Sequence, residues 1–242
     1  MIRVLVNGAK GRMGTEVVRA VSAQQDMELV GRTDAGDDLA AAIGSSGAQV
    51  VVDFTTPQVV FEAAKTILKC GARPVIGTTG LTAEQVEVLK DMARARGLGG
   101  VIAPNFAIGA VLLMQYAEHA ARWFSKVEII ELHHDKKLDS PSGTAKLTAE
   151  RIARNLPRST SSEESREPPF RGGRVAGIPV HSVRLPGLVA HQEVIFGGPG
   201  QCLTIRHDSL SRESFMPGVL LAVRKAPELK ELVVGLDKLL GE

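Results

Sequence analysis

The chain has 242 residues, 44% of them apolar, enough for one large domain or two small ones to bury an ordinary core without disulfide or metal staples. Its 29 basic and 27 acidic residues are interspersed and nearly cancel, so it lacks the basic stripe of a nucleic-acid binder, and one Trp with one Tyr offers little surface for stacking bases. Cys70 and Cys202 stand far apart, no charged-then-apolar leader opens the chain, and no window approaches the roughly eighteen uncharged apolar residues of a membrane span; the expectation is a cytoplasmic protein, without nucleic-acid or membrane partners, whose thiols pack as small apolar side chains.

Through residue 104, short β-branched runs alternate with helix-period segments. IRVLV from Ile2 leads to a helix over Arg12–Ala23. MELVGR from Met27 and AQVVVDF from Ala48 precede a helix over Val59–Cys70, and PVIG from Pro74 precedes one over Ala83–Arg96, before VIAP at Val101. This order predicts an α/β fold with a doubly wound parallel sheet of Rossmann type. Ligands of such sheets sit above the carboxyl ends of the strands. Those ends carry Gly8, Asp34, Asp53-Phe54-Thr55, Gly77-Thr78-Thr79 and Ala103-Pro104-Asn105.

The first strand runs directly into Gly8-Ala9-Lys10-Gly11-Arg12-Met13-Gly14, a G-x-x-G-x-x-G turn that opens a helix. Glycines let the backbone turn sharply and approach a pyrophosphate, while the helix start offers N–H groups and partial positive charge. Asp34 follows Gly14 by 20 residues, at the end of the second strand, where a carboxylate can accept bonds from ribose hydroxyls. Asp34 would repel a 2′-phosphate, whereas Lys10, Arg12 and Arg32 would attract one, so the expectation is use of both NADH and NADPH.

From Ala107 the pattern changes. A helix-period stretch to Phe124 precedes KVEIIELHHD from Lys126, in which Val127, Ile129 and Glu131 share one face. A helix over Ala145–Leu156 and a polar loop over 157–177, the least ordered part by composition, lead to strand-like runs from Ile178, Leu188 and Cys202, expected to be antiparallel neighbours. A helix-rich segment from Ser214 is expected to pack on the first domain.

The stretch Glu131 to Ala145, ELHHDKKLDSPSGTA, has no use in a core. His133 and His134 are adjacent and point to opposite faces of a strand, so one is expected to serve the reaction and the other its surroundings. Lys136 and Lys137 crowd cations at the same turn, which would ease proton donation near neutrality, with Lys136 read as a surface residue. Ser142-Gly143-Thr144 then opens a helix whose amides and hydroxyls would hold a carboxylate. His-His-Asp is not read as a metal site, because no second ligand cluster accompanies it. His119, His181, His191 and His207 are assigned to structure, and Met13 and Met114 to packing.

These residues resemble the dihydrodipicolinate reductase family over nearly the whole chain. The motifs are GAKGRMG from Gly8, DFTTP from Asp53, GTTG from Gly77, APNFAIG from Ala103, ELHHDKKLDSPSGTA from Glu131 and IPVHSVRLPGLVAHQEVIF from Ile178. The resemblance implies a dinucleotide-binding domain over 1–104, completed by 215–242, and a smaller α+β substrate-binding domain with a mixed sheet over 105–214. That sheet would form the core of a homotetramer. The implied reaction is hydride transfer from NAD(P)H to a cyclic, unsaturated imine dicarboxylate. His133 and Lys137 fall on the proton-donating positions, His134 on a substrate contact, and Gly143 with Thr144 on the carboxylate cradle. Cofactor contacts fall on Gly8, Ala9, Lys10, Gly11, Arg12, Met13, Asp34, Gly77, Thr78, Thr79, Ala103, Pro104, Asn105 and Phe106. Two departures stand out: Ser140 replaces a usual alanine, and Asp135-Lys136 a more neutral pair, so the added acid would favour a protonated His134. A sugar or amino-acid dehydrogenase would not need the HHDKK and SGT segments, and a nucleotide-sensing regulator would ordinarily carry a DNA-binding segment that the sequence lacks.

Overall fold

The computed structural model describes residues 1–157 and 171–241. In chain order these form β1 (Ile2–Asn7), α1 (Arg12–Ser22), β2 (Met27–Thr33), α2 (Leu39–Ser46), β3 (Val50–Asp53), α3 (Val60–Lys69), β4 (Arg73–Ile76), α4 (Ala83–Arg96) and β5 (Gly100–Ile102). There follow α5 (Ile108–Ala120), β6 (Lys126–His133), α6 (Gly143–Asn155), β7 (Gly173–Val175), β8 (Ile178–Arg184), β9 (Ala190–Gly198), β10 (Gln201–Ser209), α7 (Met216–Lys225) and β11 (Leu232–Val234). The chain divides into two compact units, one of Met1–Ile108 with Arg212–Glu242 and one of Gly109–Ser211.

The first unit is a six-stranded parallel sheet in the order β11-β5-β4-β3-β1-β2. Val4–Val6 and Val50–Val52 are fully buried, as the apolar runs require when helices cover both faces. From β1 the chain passes to β2 on one side and later to β3 on the other, so the order reverses between β1 and β3. Helix boundaries follow local chemistry. Asp38 caps α2 by accepting from Ala41 N at 3.0 Å, and Thr82 and Gln85 form a reciprocal capping box on α4, which Gly97 ends in the left-handed conformation. The parallel sheet agrees with the sequence reading, but two elements went unread. Helix α2 is short, LAAAIGSS, with small residues at six of its eight positions and no clear apolar stripe. Strand β11 lies in the segment read as helix-rich, and three residues are too few to show a period.

The second unit is a mixed sheet in the order β10-β9-β6-β8-β7. Val127, Ile129 and Glu131 are buried on one face of central β6. Helix α6 buries Ala145, Thr148, Ala149 and Ile152, and Gln192 of β9 donates to Thr148 Oγ1 at 2.7 Å. The expected antiparallel neighbours need correction: β9 and β10 are such a pair, but β8 and β9 lie on opposite sides of β6, and β8 runs parallel to it. Alternation reveals which residues share a face, not which strands pair, and the long connection through α6 is of the kind that allows a parallel neighbour. Most of the loop expected over 157–177 lies outside the described residues, and β7 occupies part of its remainder. The cysteines also depart from expectation, since Cys70 and Cys202 are both exposed free thiols.

Candidate active site

In the first unit, the glycine turn is dictated by contact as much as by dihedral angle. Gly8 has φ +81°, and a Cβ there would lie 2.5 Å from the Phe54 carbonyl oxygen. A Cβ at Gly14 would collide with the Gly8 carbonyl. The amides of Gly8 and Ala9 both donate to Thr33 O, at 2.8 and 3.0 Å. Helix α1 starts at Gly11 with no side-chain cap, so no side chain occupies its first-turn N–H groups. Beside the turn lies a cavity of about 490 Å³, lined by Gly8, Gly11, Asp34, Phe54 and Thr55 among others. A second, of about 330 Å³, is lined by Arg12, Met13, Gly77, Thr78 and Thr79. These features suit an extended anionic dinucleotide.

The structure thus gathers Gly8–Met13, Asp34 and Gly77–Thr79 around neighbouring cavities. Ala103 and Phe106 are buried at 2% exposure, while Pro104 is exposed and Asn105 half-buried, its Oδ1 accepting from Ala107 N at 2.8 Å. Asp34 is held by the main chain: its carboxylate accepts from Lys10 N at 2.7 Å and Ala35 N at 2.9 Å. The bonds from Ala35 and Lys10, in that order, hold its carboxyl below the usual range. Two accepted bonds leave lone pairs for hydroxyl donors. Lys10, Arg12 and Arg32 are exposed.

In the second unit, the site is a chain of hydrogen bonds. His133 Nδ1 lies 2.5 Å from Glu131 Oε2, two residues earlier on the same face of β6. Glu131 is fully buried and takes a two-pronged bond from Arg184, Nη2 to Oε1 at 2.7 Å and Nη1 to Oε2 at 3.0 Å. Arg184 reaches this carboxylate because it is the register partner of His133 on the parallel strand β8. Arg184 Nη2 also donates to Asp139 O at 2.8 Å, and Lys137 Nζ donates to Asp139 Oδ1 at 2.6 Å. Burial pushes the Glu131 carboxyl up, but the bonds from His133, Arg184 and Ser182 outweigh it and bring the pKa down to about 2. Lys137, with the burial of Asp139 opposing it, holds the Asp139 carboxyl below its usual range.

Two expectations change here. The crowd of cations is not the main feature of the turn, because Lys136 and Asp135 are exposed while Lys137 is paired with Asp139. Ser142 opens α6 as expected, but its hydroxyl caps the helix by accepting from Ala145 N at 3.1 Å and is buried. Of the residues that open this helix, Gly143 is exposed and Thr144 half-buried. His134 follows the end of β6, and its carbonyl accepts from Lys137 N at 3.1 Å, closing the turn. Sequence reading missed Arg184 and Asp139, and saw Glu131 only as sharing a strand face with Val127 and Ile129. Its period-two spacing from His133 was the available signal. Of the histidines assigned to structure, His181 pairs with Glu128 and His191 with Asp208. Among the described residues, no group of three His, Cys, Asp or Glu side chains is placed to hold a metal ion.

A six-stranded parallel sheet in one unit and a mixed sheet in the other give the fold of two-unit dehydrogenases and reductases. The fold is shared, at 10% identity, by a probable dehydrogenase from Thermotoga maritima, with a TM-score of 0.67 over 98% of this chain and 92% of that one. Within that class the chain belongs to the dihydrodipicolinate reductase family: the family model "Dihydrodipicolinate reductase, N-terminus" matches residues 2–106, and the C-terminus model matches 109–240. A 4-hydroxy-tetrahydrodipicolinate reductase of Coxiella burnetii is 52% identical over 239 residues, covering 99% of each chain. One of Desulfitobacterium hafniense is 50% identical, covering 99% of this chain and 98% of its own. The solved dipicolinate-bound dihydrodipicolinate reductase from Paenisporosarcina sp. TG-14 is 44% identical, with a TM-score of 0.88 over 98% of this chain and 99% of that one.

Proposed function

We propose that this chain reduces the cyclic imine dicarboxylate derived from 4-hydroxy-tetrahydrodipicolinate to tetrahydrodipicolinate, a step of diaminopimelate and lysine biosynthesis, with NADH or NADPH as reductant. The carrying observation is the bonded chain from His133 through Glu131, Arg184 and Asp139 to Lys137, just before the start of α6. With Nδ1 of His133 donating to a carboxylate that is ionised near neutrality, Nε2 is the edge left for proton transfer. His133 and Lys137 supply the proton that must accompany a hydride, an effect worth roughly a hundred- to ten-thousandfold in rate. His134, Gly143 and Thr144 hold the diacid, and Ser142 keeps their turn in place through its cap.

The nicotinamide nucleotide, when bound, supplies the hydride. Gly8, Ala9, Lys10, Gly11, Arg12 and Met13 would cradle its pyrophosphate and Asp34 its ribose, with further contacts from Gly77, Thr78, Thr79, Ala103, Pro104, Asn105 and Phe106. Dual cofactor use rests on Asp34, anionic and fixed for ribose hydroxyls, lining one pocket with Lys10 and Arg32, which together with the exposed Arg12 of the glycine turn suit a 2′-phosphate. The family resemblance further supports a homotetramer joined through the mixed sheet, which size-exclusion chromatography with light scattering would test. The two free thiols suit a reducing, cytoplasmic setting. The deciding experiment is a spectrophotometric assay of NADH and NADPH oxidation with freshly generated substrate. Oxidation of both is expected, and absence of oxidation with either would overturn the proposal.

A further inference from the structure

Asp53 ends β3 fully buried, and none of the roles above uses it. It lies in the last row of the parallel sheet, where Thr33, Asn7 and Asp53 are successive register partners on β2, β1 and β3. Their side chains are bonded in the same order. Thr33 Oγ1 donates to Asn7 Oδ1 at 2.8 Å, and Asn7 Nδ2 donates to Asp53 Oδ2 at 2.7 Å. The other carboxylate oxygen accepts from Thr55 N at 3.2 Å, Thr55 Oγ1 at 2.8 Å and Thr78 Oγ1 at 2.7 Å. The Asn7–Asp53 pair bridges β1 and β3, where the strand order reverses and ligands of such sheets sit.

The residue after Asp53 extends these ties. The Phe54 carbonyl sits against Gly8, its ring fills the space where a Cβ on Gly77 would be, and its centroid is 5.9 Å from that of Phe106. A buried carboxylate is costly unless hydrogen-bonded, and these four donors are all neutral. Asp53 has no exposed surface with which to touch a ligand. We infer that Asp53 is a positioning residue for the dinucleotide: its hydrogen-bond pattern sets the glycine turn, through Asn7 and Phe54, against the Gly77–Thr79 turn, through Thr78. This rests on the nucleotide reading above and assigns that site its internal brace.

The test exchanges the two ends of the central bond. Asp53→Asn forces the Asn7 amide and the Thr33 hydroxyl to reverse, or leaves donors facing each other, and is expected to weaken NADH binding about tenfold in a fluorescence titration. Combining it with Asn7→Asp restores a partner to every group. The carboxylate now on β1 would accept from the Thr33 hydroxyl and from the amide now on β3, so only the central bond changes direction. This double variant is expected to recover wild-type affinity to within about threefold. Thr33→Val, isosteric and chosen in case Asp53→Asn does not fold, removes the donor to Asn7 Oδ1 and is expected to weaken NADH by roughly twofold to fivefold in protein that stays folded at 25 °C, with a Tm lower by a few degrees. Unaltered NADH affinity in folded single variants would overturn the inference. So would a double variant that regains Tm but not affinity. Wild-type protein that binds neither NADH nor NADPH would overturn the nucleotide reading and the inference together, whereas normal wild-type binding with indifferent variants would overturn the inference alone.

Discussion

Asp53 in the first unit and Glu131 in the second are both fully buried carboxylates on β-strands, and the protein satisfies them differently. Asp53 takes its bonds from an amide side chain, a main-chain amide and two hydroxyls, whereas Glu131 takes them chiefly from a guanidinium and an imidazole. Neutral donors fix shape. A guanidinium and an imidazole also fix charge, and with it the direction in which a proton moves. The difference matches the work proposed for each region, since a dinucleotide needs turns held at set distances and a reduction needs a proton held at a set atom.

Kinetics offer the sharpest way to break this contrast. His133→Ala and Lys137→Ala are each expected to lower kcat by a hundredfold or more while leaving the NADH dissociation constant within about twofold; equal losses in both quantities would mean that the proton donor is misassigned. Glu131→Ala strips Arg184 and His133 of a buried partner and should cost about 3–5 kcal/mol in urea unfolding. Acid should separate Glu131 more gently. Its folded pKa of about 2 lies below its ordinary value of 4.5, so its contribution is full above that value and is lost as pH falls towards 2. That contribution amounts to roughly 3 kcal/mol, of which about 2 kcal/mol is lost by pH 3, and a Glu131→Gln variant should lose about that much less stability between pH 6 and pH 3 in isothermal denaturation. Asp34→Ala is expected to weaken NADH about tenfold and NADPH less; the reverse order in titrations would remove the ribose assignment. The smallest effect should be that of Ser142→Ala, about 1 kcal/mol of stability from the lost cap of α6.

How much of this could be read in advance follows the same division. The glycine turn was legible because close approach at Gly8 and Gly14 leaves no other residue type open, and Asp34 was legible because it ends a strand at a set distance beyond it. His133, Lys137 and the opening of α6 were legible as chemistry without a core purpose. What joins them was not. Arg184 lies 53 residues from Glu131 in sequence, and their meeting depends on β8 pairing parallel to β6, which alternation alone does not reveal. The cation crowding inferred at Lys136 and Lys137 failed for a related reason, since only the folded turn brings Asp139 onto Lys137. Strand β11 escaped because three residues carry no period.

That last strand has a consequence for how the molecule is made. It pairs with β5, yet a ribosome synthesises it only after the whole of the second unit. The continuous second unit can therefore close while the first still waits for its edge, so the nucleotide-binding half is the last to reach its finished form.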